Sequence, residues 1–146
     1  MPTRRKTQKQ PPKLWYNPMD LTPELAERLV HGLAKNHRHR LELLVRKGGR
    51  ASMVALLGIT QDNDLRILSY FQGALSRKIR RLAGDREKRL QLIGWDYAST
   101  EWNAEHTKIV NGDCYISDQT VMALSKALGV KIDKDVPPND LRRRDW

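Results

Sequence analysis

The sequence predicts an α+β domain, mainly helical, with a basic arm ahead of it and a short polar tail behind. Three observations predict this class. Apolar residues recur at helical spacing from Leu25 to Leu82, in runs closed by glycine. After Arg89 the spacing shortens to two, as in strands. After Ser117 the helical spacing returns. The divisions that follow are an arm over 1–18, a domain over 19–130 that starts with an extra helix, and a polar, loose tail over 131–146.

The arm carries Arg4, Arg5, Lys6, Lys9 and Lys13 and no acid. With Pro11, Pro12 and several glutamines it has no periodic apolar face, so it cannot offset its own ordering entropy. Leu14-Trp15-Tyr16-Asn17-Pro18 closes it, a small clump able to dock on the domain or to stack on bases.

Thr22 is a good N-cap, with Pro23 at the first helical position and Glu24 near the positive end of the dipole. Leu25, Leu29 and Leu33 give this helix its inner face. Asn36 marks the expected break before a second stretch. There Leu41, Leu44 and Val45 turn inward, while Arg38, Arg40, Arg46 and Lys47 lie at or beyond the edges. Gly48-Gly49 is its stop.

Ser52 caps a short helix over Met53–Leu57, ended by Gly58, and Ile59–Asp62 connects it to the next element. A long helix is expected from Asn63 to Ala83, with Gly84 as its stop. Leu65, Leu68, Phe71, Leu75, Ile79 and Leu82 form its apolar stripe. Leu90, Leu92, Trp95 and Tyr97 predict a strand over 90–97. Asn111-Gly112 predicts a turn joining Lys108-Ile109-Val110 to a strand at Asp113–Ile116. Ser117 then caps a last helix, whose inner face is Val121, Leu124 and Leu128 and whose end is Gly129.

Charge narrows the function. The chain has 146 residues with 27 Lys and Arg against 17 Asp and Glu, a net charge of +10. Between Asn36 and Leu82 there are ten Lys or Arg and three acids, an excess of seven, so the arm alone does not explain the basicity. A polyanionic partner is the natural inference, because neutralised phosphates release counterions. The single cysteine, Cys114, rules out an internal disulfide. No apolar run approaches the roughly 18 residues of a membrane span, and nothing apolar follows the charged N-terminus as in a signal peptide. A cytoplasmic protein without membrane contact is expected.

Chemistry-bearing patterns are sparse. His31, His37, His39 and His106 lack the repeated Cys/His spacing of zinc sites. Cys114 and His106 have no third residue to orient them as a nucleophile pair. Gly48-Gly49 lacks the Lys-Ser/Thr of a phosphate loop. Asp62 and Asp64 suit the start of a helix better than a catalytic pair. No catalytic residue, metal or cofactor is expected, and the protein is read as a non-enzyme.

The order of short helix, long helix, hairpin and closing helix resembles a winged helix-turn-helix domain over roughly residues 36–128. Two places carry the resemblance. One is Met53-Val54-Ala55-Leu56-Leu57-Gly58 leading into the long helix, where Gln72-Gly73-Ala74-Leu75-Ser76-Arg77-Lys78-Ile79-Arg80-Arg81-Leu82 looks like a recognition helix. The other is the strand, long turn and strand before Ser117, which looks like a wing. The resemblance implies that the long helix enters a major groove and that the wing touches neighbouring backbone.

Helical geometry puts Arg66, Tyr70, Gly73 and Arg77 opposite the apolar stripe, with Arg80 and Arg81 beside them. These six, with Arg4, Arg5 and Lys6 of the arm, are the candidate DNA contacts. Trp102 on the wing is a candidate partner contact. Mid-helix Gly73 suggests close approach of a DNA backbone or another helix. Two function classes remain open. The leading one is a duplex-binding regulator or mobile-element accessory factor, RNA being the other nucleic acid it could hold. The alternative is an adaptor that uses the same domain for protein or RNA contacts in a larger complex. Homodimerisation fits the first class, although no dimerisation helix stands out.

Overall fold

Thr22, Ser52 and Ser117 each start a helix in the same way. Each side-chain oxygen accepts the amide three residues on, from Leu25, Ala55 and Thr120 respectively. The computed structural model describes residues 18–134 and 136. In chain order they form α1 (Pro23–Val30), α2 (Lys35–Arg46), β1 (Arg50–Ser52), α3 (Met53–Gly58), α4 (Arg66–Ala83), β2 (Gly94–Trp102), β3 (Ile109–Tyr115) and α5 (Asp118–Leu128). The strands make one antiparallel sheet in the order β1-β3-β2. The fold is therefore α+β and mainly helical, in an arrangement compatible with that of a winged helix.

One core joins the layers. Leu29, Leu41, Leu44, Leu56, Leu68, Phe71, Leu75, Ile79, Leu92, Ile116 and Leu124 are all buried in it. Leu68, Phe71, Leu75 and Ile79 come from the predicted stripe of the long helix. Glycine in the left-handed conformation ends α4 at Gly84 and α5 at Gly129, as expected.

Several expectations are corrected. α4 begins at Arg66, not Asn63. Asp64 sets that start, because its carboxylate accepts the Arg66 amide at 3.0 Å. Asn36 lies inside the first turn of α2, and the break falls at residues 31–34, where Gly32 has φ 70°. Arg40 is no edge residue. It is 2% exposed, donates to the Leu56 carbonyl at 2.9 Å and to the Thr60 hydroxyl at 2.7 Å, and lies over the Phe71 ring. A buried guanidinium survives only with such partners.

The hairpin differs most. The strand predicted over 90–97 begins at Gly94 and runs to Trp102. Leu92 and Ile93 are both buried, and of this lead-in the Gln91 carbonyl takes only the Met19 amide, so no ladder forms there. Asn111-Gly112 is not a turn but the middle of β3. A Cβ on Gly112 would stand 2.3 Å from the Trp95 ring, so glycine is present to let that indole lie on the strand. The Asn111 side chain accepts the Val54 amide at the start of α3. The true turn is residues 103–108. There the Asn103 side chain accepts the amides of Thr107 and Lys108, and His106 takes φ 60°.

β1 was not anticipated. Its Arg50 donates to Asp96 of β2 at 2.6 Å and to Asp113 of β3 at 3.1 Å, which ties all three strands at a buried point. The predicted tail is also not loose at its start. The Asp133 amide bonds the Arg46 carbonyl at 2.8 Å, and Lys47 pairs with Asp133. Residue 135, residues 137–146 of the tail, and residues 1–17 of the arm, with Arg4, Arg5 and Lys6, lie outside the described residues.

Candidate nucleic-acid interface

With Leu68, Phe71, Leu75 and Ile79 buried, α4 turns Arg66, Ser69, Tyr70, Arg77 and Arg81 outward. Tyr70 is 67% exposed. Half-buried Gly73 stands in the same row. The apolar stripe thus fixes which residues face outward, and the predicted row Arg66, Tyr70, Gly73 and Arg77 shares one helix face with the flanking Arg81.

Local bonds modify the roles of its members. Arg66 is bound back to Asp64, with its Nε at 3.2 Å and Nη2 at 2.9 Å from the carboxylate. The Arg66 guanidinium holds the Asp64 carboxyl below its ordinary pKa, and Asp64 raises that of Arg66. Gly73 makes room for a side chain of its own helix: a Cβ there would lie 3.1 Å from the Arg77 Nη1. Arg80 is partly withdrawn from the row, because its Nε donates to the Leu90 carbonyl at 2.8 Å. Lys78 donates to the His31 carbonyl at 2.6 Å, which joins α4 to the end of α1, and burial lowers its pKa.

Two clefts flank the last turns of α4, and Arg77 and Arg81 line both. One, about 580 Å³, also takes in Arg80, Gly84, Asp85, Arg86 and Lys88. The other, about 370 Å³, takes in Lys78, Ala74, His37 and residues 32–34. His37 stacks tilted against Phe71, and burial lowers its pKa. The sequence pattern does not single out Arg86 and Lys88. The run Asp85-Arg86-Glu87-Lys88-Arg89 reads as balanced, yet Glu87 pairs with Arg89 and the Asp85 carboxylate accepts the Leu90 amide. That leaves Arg86 and Lys88 uncompensated.

The β2–β3 hairpin forms a different surface. Trp102, 43% exposed, ends β2 and stacks on His106 with ring centroids 5.1 Å apart. It borders a groove of about 1010 Å³ with Val54 and Leu57 of α3, Leu65, Ile109 and Val110. Val54 and Val110 are 55% and 45% exposed, so apolar surface concentrates here. Its polar lining is mixed, with Asp62 and Asp64 beside Arg66 and Lys108.

Nothing in the arrangement activates Cys114. The thiol is buried in β3, and burial pushes its pKa up to about 12. His106 sits at the wing turn. Among the described residues no three His, Cys, Asp or Glu side chains gather as a metal-binding set, and no helix is long and apolar enough to cross a membrane. Compared with known protein families, curated proteins and solved structures, the chain matches none.

Proposed function

We propose that this protein binds nucleic acid, duplex DNA in the first place, with α4 as the recognition helix of a winged-helix domain and the β2–β3 hairpin as its wing. The observation that carries this reading is the exposed row of α4. Among the described residues no side-chain hydrogen bond or ion pair engages its basic members Arg77 and Arg81, while the opposite face of the same helix is core. Arginine in such a row can donate two hydrogen bonds to guanine or pair with phosphate. The net charge of +10 supplies long-range attraction to either target.

The test is the affinity for labelled duplexes of several sequences, measured beside melting temperature. Arg77→Ala should weaken binding by about 1–3 kcal/mol, unevenly among sequences if it reads a base and evenly if it meets phosphate. Its melting temperature should not change. Leu75→Ala is the fold control and should destabilise the domain by about 2–5 kcal/mol. Duplex affinity left intact by Arg77→Ala/Arg81→Ala would overturn the reading.

A second reading, an adaptor that docks a protein, is favoured by the apolar groove between the wing and α3. It predicts that duplex DNA, single strands and structured RNA all fail to bind at physiological salt.

A further inference from the structure

We infer that the cleft at the C-terminal end of α4 seats backbone phosphates of the bound nucleic acid, with Arg86 and Lys88 as the gripping residues beside Arg77 and Arg81. The inference rests on the nucleic-acid reading above and adds a site that the recognition row does not contain. The cleft is lined by Arg77, Arg80, Arg81, Gly84, Asp85, Arg86 and Lys88. Two of these are already committed within the fold. The Arg80 Nε donates to the Leu90 carbonyl, and the Asp85 carboxylate accepts the Leu90 amide. Among the described residues no side-chain hydrogen bond or ion pair engages Arg77, Arg81, Arg86 or Lys88. Four cations with free side chains therefore share one concavity with a single carboxylate, Asp85, which one backbone amide already engages.

Folding alone does not call for this arrangement. The helix dipole favours cations in the last turn, and Arg80 and Arg81 already stand there. Arg86 and Lys88 lie beyond the helix and add like-charge repulsion. Lys88 is also held at φ 57°, a left-handed backbone that a lysine rarely adopts. The lining identifies the ligand class. The cleft offers five cationic side chains and one acid and no apolar or aromatic side chain, a lining suited to a polyanion. Backbone phosphates need only cations and N–H donors, each able to serve a non-bridging oxygen. Because Arg77 and Arg81 belong to both the cleft and the recognition row, a strand whose bases face the row can run its phosphates into the cleft.

The test compares the wild-type chain with Arg86→Ala/Lys88→Asn, asparagine being at ease in the left-handed region. The control is Arg28→Ala/Lys126→Ala, which removes two exposed charges on α1 and α5. Random-sequence duplex affinity is measured from low to high salt, with melting temperature recorded for each variant. The cleft variant should lose roughly 2 units of log–log salt slope, evenly across sequences, at unchanged melting temperature. The control should keep the wild-type slope. If the cleft variant matches the control while Arg77→Ala/Arg81→Ala still loses affinity, the cleft assignment falls and the recognition row stands. If the wild-type chain binds no nucleic acid, the underlying reading falls and the cleft assignment with it. Saturable pyrophosphate binding that this variant abolishes, with its duplex slope unchanged, would assign the cleft to a free anion and also overturn the inference.

Discussion

At its first turn α4 keeps its charge local, whereas at its last turn it leaves charge uncompensated. Arg66 chelates Asp64, Asp62 accepts the Thr60 hydroxyl, and the adjoining surface is the apolar groove bounded by Trp102 and Val54. At the other end, Arg77, Arg81, Arg86 and Lys88 face a cleft whose one acid, Asp85, is outnumbered. The dipole favours the cations of the last turn and the acids Asp62 and Asp64 just ahead of the first, which itself opens on Arg66. It does not account for the number. The difference teaches that one helix can serve two kinds of surface, with the apolar stripe between them holding both in fixed relation.

The comparison can be broken or sharpened by substitution. The largest effect is expected at the wing. Gly112→Ala drives a methyl group into the Trp95 ring and should destabilise the domain by about 1–3 kcal/mol through overpacking. Tryptophan fluorescence should report the displaced indole, and duplex binding measured well below the lowered melting temperature should persist. Loss of binding in a folded Gly112→Ala protein would show that the two surfaces are not separable.

A smaller effect of opposite sign is expected at Gly73. Alanine raises helix propensity by up to about 1 kcal/mol, and the Arg77 guanidinium must give way by only a few tenths of an ångström. Denaturant unfolding should show a gain in stability with near-normal affinity. A marked fall in affinity would mean that nucleic acid approaches the backbone at Gly73, as the sequence first suggested. The smallest change is expected for Asp64→Ala. It releases an exposed pair that contributes little to stability. It should strengthen duplex binding by freeing Arg66. Unchanged binding would place the first turn of α4 outside the interface.

What the sequence reveals depends on how local the cause is. The caps at Thr22, Ser52 and Ser117 and the stops at Gly84 and Gly129 are decided within a few residues, and each is readable in advance. The exposed row of α4 is readable because its apolar stripe is regular. Arg40 and Arg50 are not readable, because nothing beside them in sequence announces the Leu56 carbonyl, Asp96 or Asp113 that makes their burial tolerable. Asn111-Gly112 misleads for the same reason. The dipeptide suits a turn, but the Trp95 ring, which lies across the sheet, decides its place. Arg80 looks as free as Arg77 until the lead-in to β2 folds back against it.

The packing of α1 against α5 has a consequence for how the chain is made. The Leu21 amide donates to the Thr120 hydroxyl at 2.9 Å across 99 residues of sequence, and the same hydroxyl donates to the Met19 carbonyl. On a ribosome, α1 emerges long before its partner exists, and Leu21 and Leu29 must wait uncovered. The Arg50 clasp waits likewise, for Asp96 and then for Asp113. Contacts of such separation form late. The nascent chain therefore gains its complete core only once α5 has cleared the exit tunnel, and until then exposed leucines and a strongly basic surface share one unfinished polypeptide.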